Sequence, residues 1–177
     1  MGDSTLWTLA IAALTGGTAV LASWVTSRGS TRAATIQAEI AAASSRAERL
    51  RESRRTAYLD LIEQTHRIGE LYWEISAALR LPGSDSRTES LRVLHDREVA
   101  EYAKIRRCAR VVELEGPPTA AAAAHSLQKA TGPFYEALKA ELTGAPDAHP
   151  DFDAAYSPFW EALENFVDAA RDAHQTD

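Results

Sequence analysis

Cysteine is almost absent. Cys108 stands alone among 177 residues, so the chain can build neither an internal disulfide framework nor a multi-cysteine zinc site. Its expected place is a small, buried apolar position on a helix. Isoleucine, valine and threonine are sparse after residue 40 while alanine is abundant. That balance favours helix over sheet, because alanine loses least on entering a helix. The usual phosphate-cradling and nucleophile-elbow devices are missing too. There is no G-x-x-x-x-G-K-[ST], no G-x-S-x-G and no G-x-G-x-x-G, and each of those chemistries depends on its glycines at fixed places.

Charge is absent from one long stretch. Between Asp3 and Arg28 lie 24 residues, Ser4–Ser27, without an acid or a base. About 20 apolar residues of helix suffice to cross a hydrocarbon layer of about 30 Å. Trp7 and Trp24 lie near the two ends of the run, roughly 25 Å apart at helical rise, where indoles suit the two bilayer interfaces. Met1–Ser4 carries an acid and no Lys or Arg, unlike the basic start of a secretory leader. A helix lying on the membrane surface would need a charged face, and this run has none. Residues 1–27 therefore read as a single transmembrane anchor, the alternative being a buried helix, since Thr5, Thr8, Thr15, Thr18, Thr26 and Gly16-Gly17 make the run only moderately apolar. Arg28 and Arg32 follow the run at once, and nothing basic except the amino terminus precedes it. The orientation is then N-terminus outside, with the C-terminal domain cytoplasmic at the cell membrane. Ala12/Gly16, Ala13/Gly17 and Ala19/Ser23 repeat small residues at the spacing that lets two spans approach.

The net charge of −6 conceals a gradient. Arg28–Arg55 holds seven Arg and three Glu, and Thr56–Arg110 nine bases and nine acids. Val111–Asp177 holds twelve acids against Lys129, Lys139 and Arg171. A basic collar at Arg28–Arg55 suits anionic lipids. The acidic distal half argues against nucleic acid as a partner and suits a solvated surface.

Beyond Gly29 the helical pattern runs without Gly or Pro until Gly69. Its inward positions are Ile36, Ile40, Ala43, Ala47, Leu50, Arg54, Ala57, Leu61, Thr65, Ile68, Tyr72, Ile75 and Leu79, a heptad-like series. The first half is weak, with two alanines and an arginine. The second is large and aromatic. Residues 28–55 thus read as an Arg/Ala-rich stalk, spanning roughly 35–40 Å if helical from residue 31. Residues 56–177 read as a helical bundle. Leu81–Ser86 breaks the first helix. A second is expected over Arg87–Glu115, with Leu91, Leu94, Val99, Tyr102, Ile105, Ala109 and Val112 on its apolar side. Gly116-Pro117-Pro118 ends it, and Thr119 is the expected N-cap of a third helix over 120–143. A fourth is expected over 151–174. Pro133-Phe134-Tyr135-Glu136-Ala137-Leu138 is echoed by Pro158-Phe159-Trp160-Glu161-Ala162-Leu163. Each proline should kink or restart its helix. The echo reads either as two packed core segments or as two aromatic notches for a ligand.

The expected architecture is all-α: a transmembrane helix running into a long helical stalk, then an antiparallel bundle of about four helices. For chemistry, Glu63-Gln64-Thr65-His66 places a carboxylate and an imidazole on one helical face, the spacing of four-helix metal carboxylate proteins. Those proteins use a second copy, and His95-Asp96-Arg97-Glu98 is reversed. Glu63 and His66 are the only metal candidates, and no cofactor is expected. His125, His149 and His174 lack ligand partners in the pattern. Trp73, Tyr135 and Trp160 are the candidates for an apolar ligand pocket. The expected membrane-interface residues are Trp7, Trp24, Arg28 and Arg32.

Arg54-Arg55-Thr56-Ala57-Tyr58-Leu59-Asp60-Leu61 resembles the Arg-Arg-x-Ala-Tyr-x-x-[Leu/Phe] segment of a group of small, uncharacterised actinobacterial membrane-anchored proteins. These carry a short N-terminal span, an Ala/Arg-rich helix and a helical domain. The resemblance covers mainly residues 5–80 and implies a membrane protein, with no catalytic residue to carry over. The expected function is that of a membrane-anchored interaction or scaffold protein without catalysis of its own. Its partners are a protein and, in one version, a second copy of the chain. The alternative is a metal- or ligand-binding four-helix protein, even an enzyme, centred on Glu63 and His66.

Overall fold

The computed structural model describes the backbone of residues 3–82, 85–144 and 148–176, and the side chains of residues 34–82, 85–144 and 151–175. Every element is helical: α1 (Asp3–Leu79), α2 (Asp85–Glu115), α3 (Pro118–Ala130), α4 (Gly132–Leu142), α5 (Ala148–Ala154) and α6 (Tyr156–Thr176). No strand occurs among the described residues. The chain divides into two compact units, Met1–Glu48 and Arg49–Asp177.

In the first unit the described side chains begin at residue 34, and they are exposed throughout. The apolar ones are no exception, with Ile36 at 52% and Ile40 at 64%. The expected span and its interface residues Trp7, Trp24, Arg28 and Arg32 lie outside the described side chains. Among the described residues no helix is long and apolar enough to cross a membrane.

The second unit is a helical bundle, and its cross-links give the directions. Ser53, Gln64 and Glu74 of α1 meet Glu115, Glu101 and Arg97 of α2, so the two helices run antiparallel. Arg87, His95, Tyr102 and Glu113 of α2 meet Glu141, Tyr135, Gln128 and His125 in turn. The α3–α4 pair is therefore antiparallel to α2. Tyr58, Tyr72 and Trp73 face Phe166, Phe159 and Tyr156, which sets α6 antiparallel to α1. The second unit takes in residues 49–55 of the expected stalk. There the Arg54 Nε donates to the Glu115 carbonyl oxygen at 2.7 Å. That cation satisfies an orphan acceptor at the C-terminal end of α2.

Four prolines decide the breaks. The expected third and fourth helices are each split in two, as the paired motifs foretold. Pro133 sits in the first turn of α4, and Pro158 near the start of α6. A proline lacks the amide that a continuing helix would need, and it fits a first turn where that amide is unpaired anyway. The N-cap of α3 is Pro117, with extended backbone, and Pro118 is already helical. Thr119 is therefore not the cap. The proline ring presets the helical φ one residue earlier than a threonine side chain could bind the first turn. At the other end of α4, Gly144 adopts φ 74°, the left-handed conformation that closes a helix at low cost.

Gly69 does not interrupt α1. A Cβ there would come within 2.9 Å of the Trp160 indole, so the missing side chain makes room for α6. The core is built around Tyr72, which is fully buried. Its ring stacks on Phe134 at 3.7 Å, with Phe152 and Phe159 edge-on. Phe134 and Phe159, the matching members of the echoed motif, are both wholly buried and meet edge to face at 5.7 Å. This part of the echo is therefore core. Rings at such separations add about 0.5–1.5 kcal/mol per pair beyond their burial.

Candidate functional site

The inward stripe of α2 repeats at seven-residue steps: Leu91, Glu98, Ile105 and Val112. All four are buried, and Glu98 is only 1% exposed. Val99, read from the sequence as inward, is 46% exposed instead. The physical reason is the seven-residue period itself, which carries Leu91 onto Glu98 and leaves Val99 turned about 100° further round. A carboxyl thus occupies a slot built for a hydrophobe.

Neither Glu98 oxygen has a hydrogen-bond partner. Burial pushes the carboxyl up to about 8, because a low-dielectric site disfavours the charged form. Two basic side chains of its helix are engaged elsewhere. Arg97 binds Glu74 on α1 through two guanidinium nitrogens, at 2.5 and 3.2 Å, and holds that carboxyl below the usual range. The Lys104 Nζ binds Glu101 at 2.7 Å.

Glu98 lines a cleft of about 540 Å3 where α2 faces α1, α3 and α4. Three tyrosines stand in its walls: Tyr72 from α1, Tyr102 from α2 and Tyr135 from α4. Burial and the Glu98 carboxyl together drive the Tyr72 phenol well above its ordinary range. Gln128, from α3, also lines the cleft, and its Nε2 donates to the Tyr102 hydroxyl at 3.1 Å. The Tyr135 ring lies 5.4 Å from the His95 ring and 5.9 Å from the Lys139 ammonium. Thr131 and Gly132 line the cleft at the α3–α4 break. The Thr131 hydroxyl is turned into its own turn, donating to the Gln128 carbonyl oxygen at 2.7 Å. The proline-imposed break therefore shapes the cleft, and a Cβ on Gly132 would meet nothing within 4 Å.

The three pocket candidates part company. Tyr135 lines the cleft, whereas Trp73 and Trp160 do not. Trp73 is 57% exposed and lies against Tyr156 at 5.1 Å. Trp160 covers Gly69 and His66 on the α1–α6 side. The metal candidates are likewise occupied with neighbours. Glu63 pairs with Arg67 one turn on, and the exposed His66 ring lies 5.8 Å from Trp160. Among the described residues no three His, Cys, Asp or Glu side chains gather as metal ligands would. His125 Nδ1 lies 3.5 Å from Glu113, and the side chain of His149 is outside the described set. Cys108 is half-buried on α2, and burial raises its thiol, which keeps it in the unreactive form.

Glu98 is the residue that reading the sequence for motifs passes over. It entered only as the last member of a reversed His-x-x-Glu. The signal that finds it is the acid interrupting an apolar series at exact heptad steps. Comparisons with protein-family models, curated proteins and solved structures return no match.

Proposed function

We propose that the chain is a single-pass, membrane-anchored helical interaction module that pairs with a second copy of itself along α1. The observation that carries this reading is the exposed seam of Ile36, Ile40, Ala43, Ala47 and Leu50. These residues follow alternating four- and three-residue steps, and Ile36, Ile40 and Leu50 are 52%, 64% and 47% exposed. A seam of that period fits an identical seam, and alanines at its centre allow close approach. Ser4–Ser27 serves as the anchor, which would hold two copies parallel and at high local concentration. Arg28–Arg55 lies against anionic lipid, and the bundle is carried on the cytoplasmic side. The reading assigns the chain no catalysis.

Two measurements test it. C-terminal reporter fusions should report a cytoplasmic bundle; activity of an external reporter overturns the anchor's orientation. With Cys108→Ala as background, Ile40→Cys should form a disulfide-linked dimer in membranes, and Ala42→Cys, off the seam, should not. Equal crosslinking at both positions, or none at either, overturns the pairing.

A further inference from the structure

We propose that the cleft beside Glu98 binds a protonated organic amine with a flat apolar body, with the Glu98 carboxylate as its counter-ion. This inference stands on the bundle alone and is independent of the anchor and the seam.

Four observations select that chemistry. First, Glu98 is almost wholly buried with two oxygens that accept nothing. A buried acceptor without a donor is costly, and a ligand N–H supplies what the fold omits. Second, Arg97 and Lys104 of the same helix are committed to Glu74 and Glu101, and Lys129, which also lines the cleft, makes no hydrogen bond to the Glu98 oxygens. Third, the lining includes three tyrosines; Tyr72 is stacked on Phe134, and the partly exposed Tyr102 and Tyr135 supply aromatic surface suited to a flat apolar body and an ammonium. Fourth, the cleft of about 540 Å3 falls within the range typical of small-molecule sites, roughly 300–1,000 Å3. Competing ligand classes fit less well. An anion would meet two carboxyls, Glu98 and Glu136, against one cation, Lys129, in the lining of the cleft. A metal ion would find a single buried carboxylate and no cluster of ligands among the described residues. A neutral hydrocarbon would leave Glu98 as it is.

Proton balance follows from the burial. The titratable groups that line the cleft with Glu98 are Tyr72 from α1, Tyr102 on its own helix, Lys129 from α3, and Tyr135 and Glu136 from α4. Burial raises the carboxyl to about 8, so it keeps its proton at neutral pH, although Lys129 also lines the cleft. An arriving ammonium stabilises the carboxylate, so binding forms an N–H···O contact and sends the Glu98 proton to solvent. Affinity should rise with pH, by up to about tenfold per unit below that value.

The test uses the full chain in detergent micelles and two probes of equal shape, 2-phenylethylamine and 2-phenylethanol. Titration calorimetry in two buffers of different ionisation heat reads affinity and proton release together. The expected result is saturable 1:1 binding of the amine with release of about one proton per ligand at neutral pH. The alcohol should bind at least about tenfold more weakly. Glu98→Gln should remove that preference. Gly132→Leu, which adds bulk at a lining position with open space around its Cβ and leaves the carboxyl untouched, should weaken binding of both probes with an unchanged helical spectrum. The proposal is overturned if the alcohol binds as well as the amine, if Glu98→Gln binds the amine unchanged, or if the amine does not bind.

Discussion

Within α1, residues 36–50 and residues 61–79 carry the same alternation of three- and four-residue steps and meet opposite fates. Leu61, Ile68, Tyr72 and Ile75 are wholly buried, whereas Ile36 and Ile40 are mostly exposed. The difference lies in what the chain can fold back upon them. Residues 57–79 have α2, α4, α5 and α6 for neighbours, and the last three bring Phe134, Phe152, Phe159 and Phe166. The earlier turns present small or isolated apolar side chains, too little area to hold a further helix of the same chain. A periodic stripe therefore marks a face that benefits from cover, and the size of its residues decides whether the fold covers it.

The contrast can be pressed from the bundle side first. Phe134→Ala removes the ring stacked on Tyr72 and should cost about 3–5 kcal/mol of unfolding free energy, measured by chemical denaturation followed by ellipticity. A loss below about 1 kcal/mol would mean that the aromatic cluster is not the centre of the core.

The next effect has the opposite sign. In the folded chain Glu98 holds its proton to about pH 8, whereas an unfolded glutamate releases it near the ordinary value of 4.5. Between those values the native state binds the extra proton, so stability falls as pH rises through the window. Glu98→Leu abolishes that slope and restores the heptad series. It should match the parent most closely near pH 4.5 and exceed it above pH 8 by on the order of 2–4 kcal/mol. Denaturation midpoints at the two ends of the window check this. Parallel profiles for the two proteins would place the carboxyl in contact with water.

The smallest effect belongs to the exposed region. Ile40→Ala should change the unfolding free energy of the bundle by less than about 0.5 kcal/mol while weakening crosslinking through a neighbouring seam cysteine such as Leu50→Cys. A stability loss comparable to that of Phe134→Ala would show that both stretches of α1 share one cooperative core.

Several parts of the bundle were legible because they depend on local covalent geometry. Pro133 and Pro158 restart helices wherever they stand, and every inward position assigned on α1 from Ala57 to Leu79 is buried. The exact cap of α3 was less legible. Thr119 and Pro118 both suit a helix start, and the neighbouring Pro117 tips the balance. The cleft was nearly illegible. Its walls come from four helices, and no spacing within one segment announces that Tyr72, Tyr102 and Tyr135 converge. Trp73 and Trp160, chosen as large aromatics at helical spacing, pack on the α1–α6 side because Gly69 admits the indole there.

By itself the sequence determined that the described chain is helical, where its helices break, and that Arg28–Arg55 is basic beside an uncharged run. Those properties follow from residue propensities, missing amides and formal charge, none of which needs a neighbour in space. Tertiary structure alone decided that Glu98 is the unusual residue. A glutamate on a helix is ordinary until three further helices take away its water and offer no donor in return.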